Sequence, residues 1–384
     1  MRKGNRWSFA SLLFLLALGG TACHQQTTVG PGYHEYAYVT NGKSNSVSVL
    51  DLLQLKNVKT LAVAAGPTGI AANPQRNEIY VANSGSSNIS IIDAEHNEVV
   101  ATVGVHSAPY YVSVSADGQR AYVANSGSAN VSVLDLAKRA VVATIRVGGA
   151  PGLAKVSPDG KLVVVSNRTD NTVSIIDAGK LAVRNTVAVC QQPQDIVILP
   201  DSSKAFVACP GSNQLAAIEL KSDRLLAILD VGRLPIQLAL KPDGGELFVA
   251  NFDSNSFSIV ETNTNEVGGS YLIGNSPARG IVTSDNSLLY VSNYGSDNIS
   301  VYAIDEGRVI GAVQVGSHPD ALALTPDEGH LLVVDSRSGD VAVVRTAKTR
   351  DNSKISADRA LVTLIPVGSQ PNDIVVKSFQ MGAK

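Results

Sequence analysis

The residues able to do chemistry in this chain gather around a set of prolines. His106, Tyr110 and Tyr111 flank Pro109, Gln192, Gln194 and Asp195 flank Pro193, and Arg233 and Gln237 flank Pro235. Arg279 follows Pro277, His318 and Asp320 flank Pro319, and Asp373 follows Pro371. An imidazole can ligate a metal or haem, a carboxylate can hold a hard cation, a guanidinium can grip an anion, and an aromatic ring can cover a planar face. Their spacing forms no catalytic constellation. There is no Ser-His-Asp arrangement on a strained elbow, no metal-ligand motif and no phosphate loop. Capture of a ligand is therefore expected ahead of catalysis.

These prolines are evenly spaced. Pro67, Pro109, Pro151, Pro193, Pro235, Pro277 and Pro319 recur every 42 residues, and Pro371 follows after 52. A second ladder, Asn41, Asn83, Asn125, Asn167, Cys209, Asn251, Asn293 and Asp335, keeps the same period of 42. Self-similarity at 40 to 45 residues is the signature of a propeller blade. Each unit reads as four short strands parted by turn chemistry, as in "PGLAKVS", "LVVVSN", "TVSIID" and "RNTVAV", with "PDGK" and "RTDN" between the first three. The fold class expected is all-β, an eight-bladed β-propeller of four-stranded antiparallel blades. The chain opens with three strands lacking an inner partner, from Tyr36 to about Val63, and ends with one inner strand, "PNDIVVKSF". Pairing the two closes an eighth blade and removes exposed edges. A ring of seven, the alternative, would leave these segments outside.

In this architecture the residues around the ladder prolines share one mouth of a central channel, joined there by Arg168, Phe252 and Tyr294. Residues common to all repeats are read as structural: the ladder Asn as a turn cap serving loop backbone groups, and Asp51, Asp93, Asp135 and Asp177 as strand-end turn residues. Cys190 and Cys209 sit at the same end of one blade, 19 residues apart in sequence, and a disulfide between them is expected in an exported protein. No cysteine pair then remains for a metal, and no haem-attachment motif is present.

The phrases "YAYVTNGKSNSVSVLDL", "YVANSGSSNISIID" and "YVANSGSANVSVLDL" resemble the YVTN family of β-propeller repeats, found in exported YncE-like proteins and in surface-layer proteins. The resemblance runs from about residue 34 to 379. It implies a fold more than a function, because that family is defined by its blade. Two further resemblances carry functions: to eight-bladed propellers that hold or help mature haem d1, and to propeller lactonases, which need metal-binding carboxylates in the channel. Asp195, Asp320 and Asp373 are the candidates for the latter, and His106 and His318 for a metal or haem.

The ends complete the reading. Arg2, Lys3 and Arg6 precede the apolar stretch "WSFASLLFLLALGG", as in a secretory signal. The "GGTAC" that follows resembles a lipobox, which makes Cys23 the expected lipidated residue. The expected organisation is a signal peptide over 1–22, a tether over 23–32 and a propeller over 33–380. Expected location is the bacterial envelope, at the outer membrane facing the periplasm or the cell surface, anchored through the lipid. Without residues 1–22 the chain keeps 28 basic against 33 acidic residues, which argues against a nucleic-acid partner. An envelope protein, a peptide or a small polar ligand is the expected partner of a monomer without a resident cofactor. The insertion Thr346 to Arg359 is placed on the face opposite the mouth.

Overall fold

The computed structural model describes residues 30, 32–346 and 360–381. Cys23, the signal-like segment, most of the tether and all but Thr346 of the 346–359 insertion lie outside them. The described residues form eight four-stranded antiparallel sheets. Seven are consecutive; blade 1, for example, runs outward through Pro67–Ala72, Glu78–Asn83, Asn88–Asp93 and Glu98–Gly104. Blades 2 to 7 follow, their innermost strands being Pro109–Val114, Pro151–Val156, Ile196–Ile198, Pro235–Leu240, Pro277–Val282 and Pro319–Leu324. Blade 8 is built from both ends: Tyr33–Asn41, Ser46–Asp51 and Lys56–Ala62 take Pro371–Gln380 as their innermost strand. That pairing holds Tyr36 opposite Lys377 and Thr40 opposite Asp373. The protein is an eight-bladed β-propeller.

Burial explains the strand composition. The second strand of each blade is buried on both faces, as Leu162–Asn167 is at every position, while the outermost strand is largely exposed and in Leu361–Pro366 alternates. Each apolar cluster of the core draws on two neighbouring blades. Tyr80, Ile89 and Ile91 of blade 1, for instance, pack on Val112, Val123 and Leu134 of blade 2. Eight such clusters exist for eight interfaces, and the one joining blade 7 to blade 8 combines Leu332 and Val334 with Val39, Leu50 and Ile374. The ring is therefore closed by the same apolar contact that stacks its other members, each fully buried aliphatic side chain contributing about 1.5–3 kcal/mol before entropy is counted.

The ladder Asn has a different task from the expected turn cap. Asn83 Nδ2 donates to Asn88 Oδ1 at 2.8 Å and Ser90 Oγ at 2.9 Å, both on the next strand. Asn125, Asn167, Asn251 and Asn293 repeat this pair of bonds five and seven residues on. The side chain thus clasps two strands, and in the closing blade Asn41 also serves loop backbone as expected, its Oδ1 accepting from Gly368 N at 3.1 Å. The Asp residues do cap turns: Asp51 Oδ1 accepts from the Leu53 and Gln54 amides, both at 2.9 Å.

Two copies of the ladder depart from Asn, each with a matched change. In five blades the partner against the ladder residue is a glycine three places before a ladder proline, and a Cβ added to Gly232 would lie 2.5 Å from Asn251. Blade 4 carries Cys190 and Cys209 at these two positions, bonded to each other with Cα atoms 5.7 Å apart. The next residue there is Pro210, which has no N–H. In blade 1 the equivalent amide, Ser84 N, donates to Gly66 O at 2.8 Å; blade 4 lacks that donor, and its innermost strand is the shortest, Ile196–Ile198. A covalent link stands where hydrogen bonds hold the other blades.

In blade 7 the ladder pair is Asp335 and Asp340. Burial, reinforced by the hydrogen bond to Asp340 and its charge, pushes the Asp335 carboxyl up to about 9, so it keeps its proton and stands in for an Asn amide donor. An unfolded chain loses that proton near pH 4. Stability should therefore be full below that range and fall as pH rises toward 9, by up to about 1.4 kcal/mol per pH unit for one coupled proton. Asp335→Asn should remove this slope, raising the urea midpoint at pH 8 while leaving it nearly unchanged at pH 4; parallel pH profiles for the two proteins would refute the assignment. Deletion from Ser369 onward should lower the melting temperature by 10 °C or more, on the order of what losing several buried aliphatic groups implies, and an unchanged melting curve would contradict closure by this strand.

Candidate functional site

The innermost strands wall the central channel, and the second residue after the ladder proline reaches its lining in most blades. Tyr111, Asp195, Gln237, Arg279 and Asp373 occupy that position around a cavity of about 750 Å³. Asp320, one residue after its proline, and Lys155, four after Pro151, complete the charged set. Three carboxylates and two cations thus converge from five blades, with Tyr111 from a sixth.

Their contacts divide into two kinds. Asp195 and Asp373 are inter-blade clamps. Asp195 Oδ1 accepts from its neighbour Ile196 N at 2.9 Å, while Oδ2 accepts from Leu238 N of blade 5 at 2.8 Å. Asp373 repeats this with Ile374 N at 3.0 Å and Ile70 N of blade 1 at 3.2 Å. Gln237 Oε1 does the same toward Gly280 N of blade 6 at 2.7 Å. The two Asp clamps stand four blades apart, on opposite sides of an eight-membered ring. Burial pushes both carboxyls above the usual range, against the pull of Lys155 on Asp195, of Arg279 on both, and of the amides each accepts from.

The second kind of contact is ionic and open to the channel. Arg279 Nε donates to Asp320 Oδ1 at 3.3 Å, and their side chains keep 45% and 30% of their surface exposed although protein encloses the channel around them. Burial opposes charge on Arg279, but Asp320, Asp373 and Asp195 outweigh it and hold the guanidinium protonated. Lys155 Nζ lies 2.8 Å from Tyr111 Oη and 4.8 Å from the centre of its ring. Burial disfavours its charge too, yet Tyr111, Asp195 and Asp373 raise the ammonium above its ordinary range. The two cations are thereby shared between opposed carboxylates. A ligand with an acid and a donor group could replace these partners one for one.

Not every sequence candidate reaches the channel. Tyr110 lines it, with the Arg168 guanidinium 5.1 Å from its ring centre. Gln194 also lines it, while Gln192 is exposed on an adjoining recess. Arg233 lies outside, its guanidinium donating to Asp253 O at 2.9 Å. His106 points outward to Thr144 of the outermost strand of blade 2, 3.1 Å away. His318 stacks on Tyr294 with ring centres 4.3 Å apart, and Tyr294 in turn contacts Phe252 at 5.9 Å; none of the three lines the channel cavity. The imidazoles are therefore not brought together, and among the described residues no group of three or more metal-ligating side chains is present. Lys155 is not among the residues expected from sequence, because it lies four residues past its ladder proline, deeper in the strand than the others. Its position carries Ala71, Ser113, Val197, Ala239, Ile281, Ala323 or Val375 in the other blades, so the same comparison taken deeper singles it out.

With this geometry in place, likeness to known proteins can be stated. Residues 74–195 match the family model described as the cytochrome D1 heme domain, and residues 267–361 match that described as lactonase, 7-bladed beta-propeller. No curated protein matches the chain. Among solved structures, the dihydro-haem d1 dehydrogenase NirN, in complex with DHE, is similar at 15% identity with a TM-score of 0.72, over 88% of this chain and 74% of that one. Hydrazine synthase of Kuenenia stuttgartiensis is similar at 22% identity and TM-score 0.58, over 69% and 91%. A functionally unknown protein of Desulfotomaculum acetoxidans is similar at 16% and 0.61, over 89% and 98%. What they share with this chain is the propeller fold.

The clamp geometry can be tested against the open ion pair. Asp195→Ala leaves two amides without acceptors and Lys155 with one of its two facing carboxylates removed, and should cost about 1–3 kcal/mol in urea unfolding. Asp320→Ala removes only a solvated pair and should cost under about 1 kcal/mol. Equal losses would sink the distinction.

Proposed function

We propose that this protein is a non-enzymatic binding propeller of the bacterial envelope, whose channel captures a small polar ligand or peptide terminus carrying both acidic and hydrogen-donating groups. The observation that carries this reading is the convergence of Lys155, Arg279, Asp195, Asp320 and Asp373 on one cavity. A ring closed by apolar interfaces needs no cation on its axis, and the Arg279–Asp320 pair is open to exchange. The signal-like segment and Cys23 support the envelope location and the lipid anchor.

A second reading, a haem d1-related role, is favoured by the match of residues 74–195 to the cytochrome D1 heme domain model, a span that includes Tyr111, Lys155 and Asp195. The lining fits such a group in part. Arg279 and Lys155 would hold the acid groups of a macrocycle, but the channel offers no histidine, cysteine or methionine side chain among the described residues that line it. This chain's own residues supply anion recognition and the hydrogen-bonding rim; the bound ring would supply redox chemistry. The lactonase reading lacks a cluster of metal ligands among the described residues.

Small molecules released by denaturation from protein purified out of its native envelope should include a polar species in near-stoichiometric amount, identified by mass spectrometry. The Lys155→Met/Arg279→Met variant should retain it at least about tenfold less well. Equal retention by both proteins would count against the channel as the site. Haemin titration separates the readings: a shifted Soret band saturating at one equivalent and weakened in the variant supports the second, and free-haemin spectra throughout support the first.

A further inference from the structure

A second recess on the mouth is built differently from the channel. It lies where blade 7 meets the closing blade and encloses about 750 Å³. Its polar lining includes Lys43, Arg337, His318, Ser336, Ser338 and Ser369, with no aspartate or glutamate. This is a pronounced bias in a chain with 33 acidic against 31 basic residues, and it contrasts with the adjacent channel, whose lining holds three aspartates. Among the described residues neither Lys43 nor Arg337 makes an ion pair.

The walls of the recess are fixed. Gly42 N donates to Gln370 O at 2.9 Å and Lys43 N to Ser369 O at 3.2 Å, while Ser369 N donates to Ser44 Oγ at 2.6 Å. The loop bearing Lys43 is therefore laced to the segment before the closing strand. On the other wall, Arg337 N donates to Ser317 O at 3.1 Å, and the His318 carbonyl accepts from Ser336 N at 3.0 Å and Ser336 Oγ at 2.9 Å. His318 has φ 56° and its ring is held flat against Tyr294. Ser338 Oγ accepts from Ser317 N at 2.9 Å, which leaves its own proton to give. Two exposed cations without an ionic partner among the described residues, beside exposed serine hydroxyls and an imidazole fixed by stacking, form a receptor for an oxyanion.

We propose that this recess is an anion-binding subsite for a soluble carboxylate- or phosphate-bearing molecule, held by Lys43 and Arg337 together with His318, Ser338 and Ser369. It goes beyond the channel reading and does not depend on it. Asn372 is shared by the linings of the two cavities, so a longer ligand seated in the channel would meet the subsite with its acidic end.

Calorimetric titration of the full chain with citrate and, separately, with glycerol phosphate at low ionic strength tests this. Saturable one-to-one binding of either is expected, weakened at least about tenfold in Lys43→Ala/Arg337→Ala, restored in Lys43→Arg/Arg337→Lys, and accompanied by a shift of the His318 imidazole resonances. The tighter of the two anions identifies the class. Because the recess straddles the ring closure, a hundredfold excess of ligand over its Kd should also raise the melting temperature by about 3 °C. Arg279→Met, in the channel, should leave the binding intact, so failure of the channel reading would not touch this one. Absence of saturable binding, or binding unchanged in the double variant with an unaltered melting curve, would overturn the proposal.

Discussion

A four-stranded sheet with two apolar faces cannot exist alone in water, and here each face finds its cover only on the next copy of itself. The requirement propagates around the ring and ends only when the last sheet reaches the first. Most else in the structure follows from it. The second strands are buried at nearly every position because both of their faces are covered, and the outermost strands are largely exposed because one face is wet. The polar work is pushed to the strand ends, where the Asn side chains clasp strand to strand. It is pushed equally to the innermost strands, where facing backbones leave a channel instead of a core.

That channel serves the fold as well as the binding role proposed for it. Asp195, Asp373 and Gln237 each spend an oxygen on an amide of the adjacent blade, so they hold the ring as well as colour its axis. Arg279, Asp320, Lys155 and Tyr111 are freer, their partners being one another. A carboxylate whose two oxygens already accept backbone amides is fixed in place as an acceptor, although burial raises its affinity for a proton. The cations opposite it are correspondingly held charged. The arrangement is suited to sorting ligands by charge pattern, with the rim recess of opposite bias beside it.

Much of the fold was legible because repetition supplies its own comparison. The period of 42 and the unmatched strands at the two ends give the blade count without any structure. Sites were less legible, since a departure from the repeat has two explanations that look alike in sequence. Cys190, Cys209 and Asp335 depart in order to rebuild the same contact by other chemistry, whereas Lys155 and Arg279 depart because the channel is theirs to fill. His106 illustrates the remaining difficulty: proximity to a ladder proline fixes the strand but not the direction of the crossing loop, which carries this imidazole outward to Thr144. The ladder Asn was read as a cap because Asn favours turns, yet its position opposite a serine two residues deeper in the next strand is what gives it the clasp.

Blade 8 also sets the order in which the molecule can be completed. Thr40 and Asp373 meet across 333 residues of chain, and closing so large a loop carries an entropic cost that grows only with the logarithm of its length. The delay is a matter of time more than of energy. Until the distal strand is made, the three opening strands present an unpaired edge while seven finished blades wait in an open arc. A nascent chain of this kind would profit from a helper that shields that edge, and its folding rate would be governed by the meeting of its two extremities.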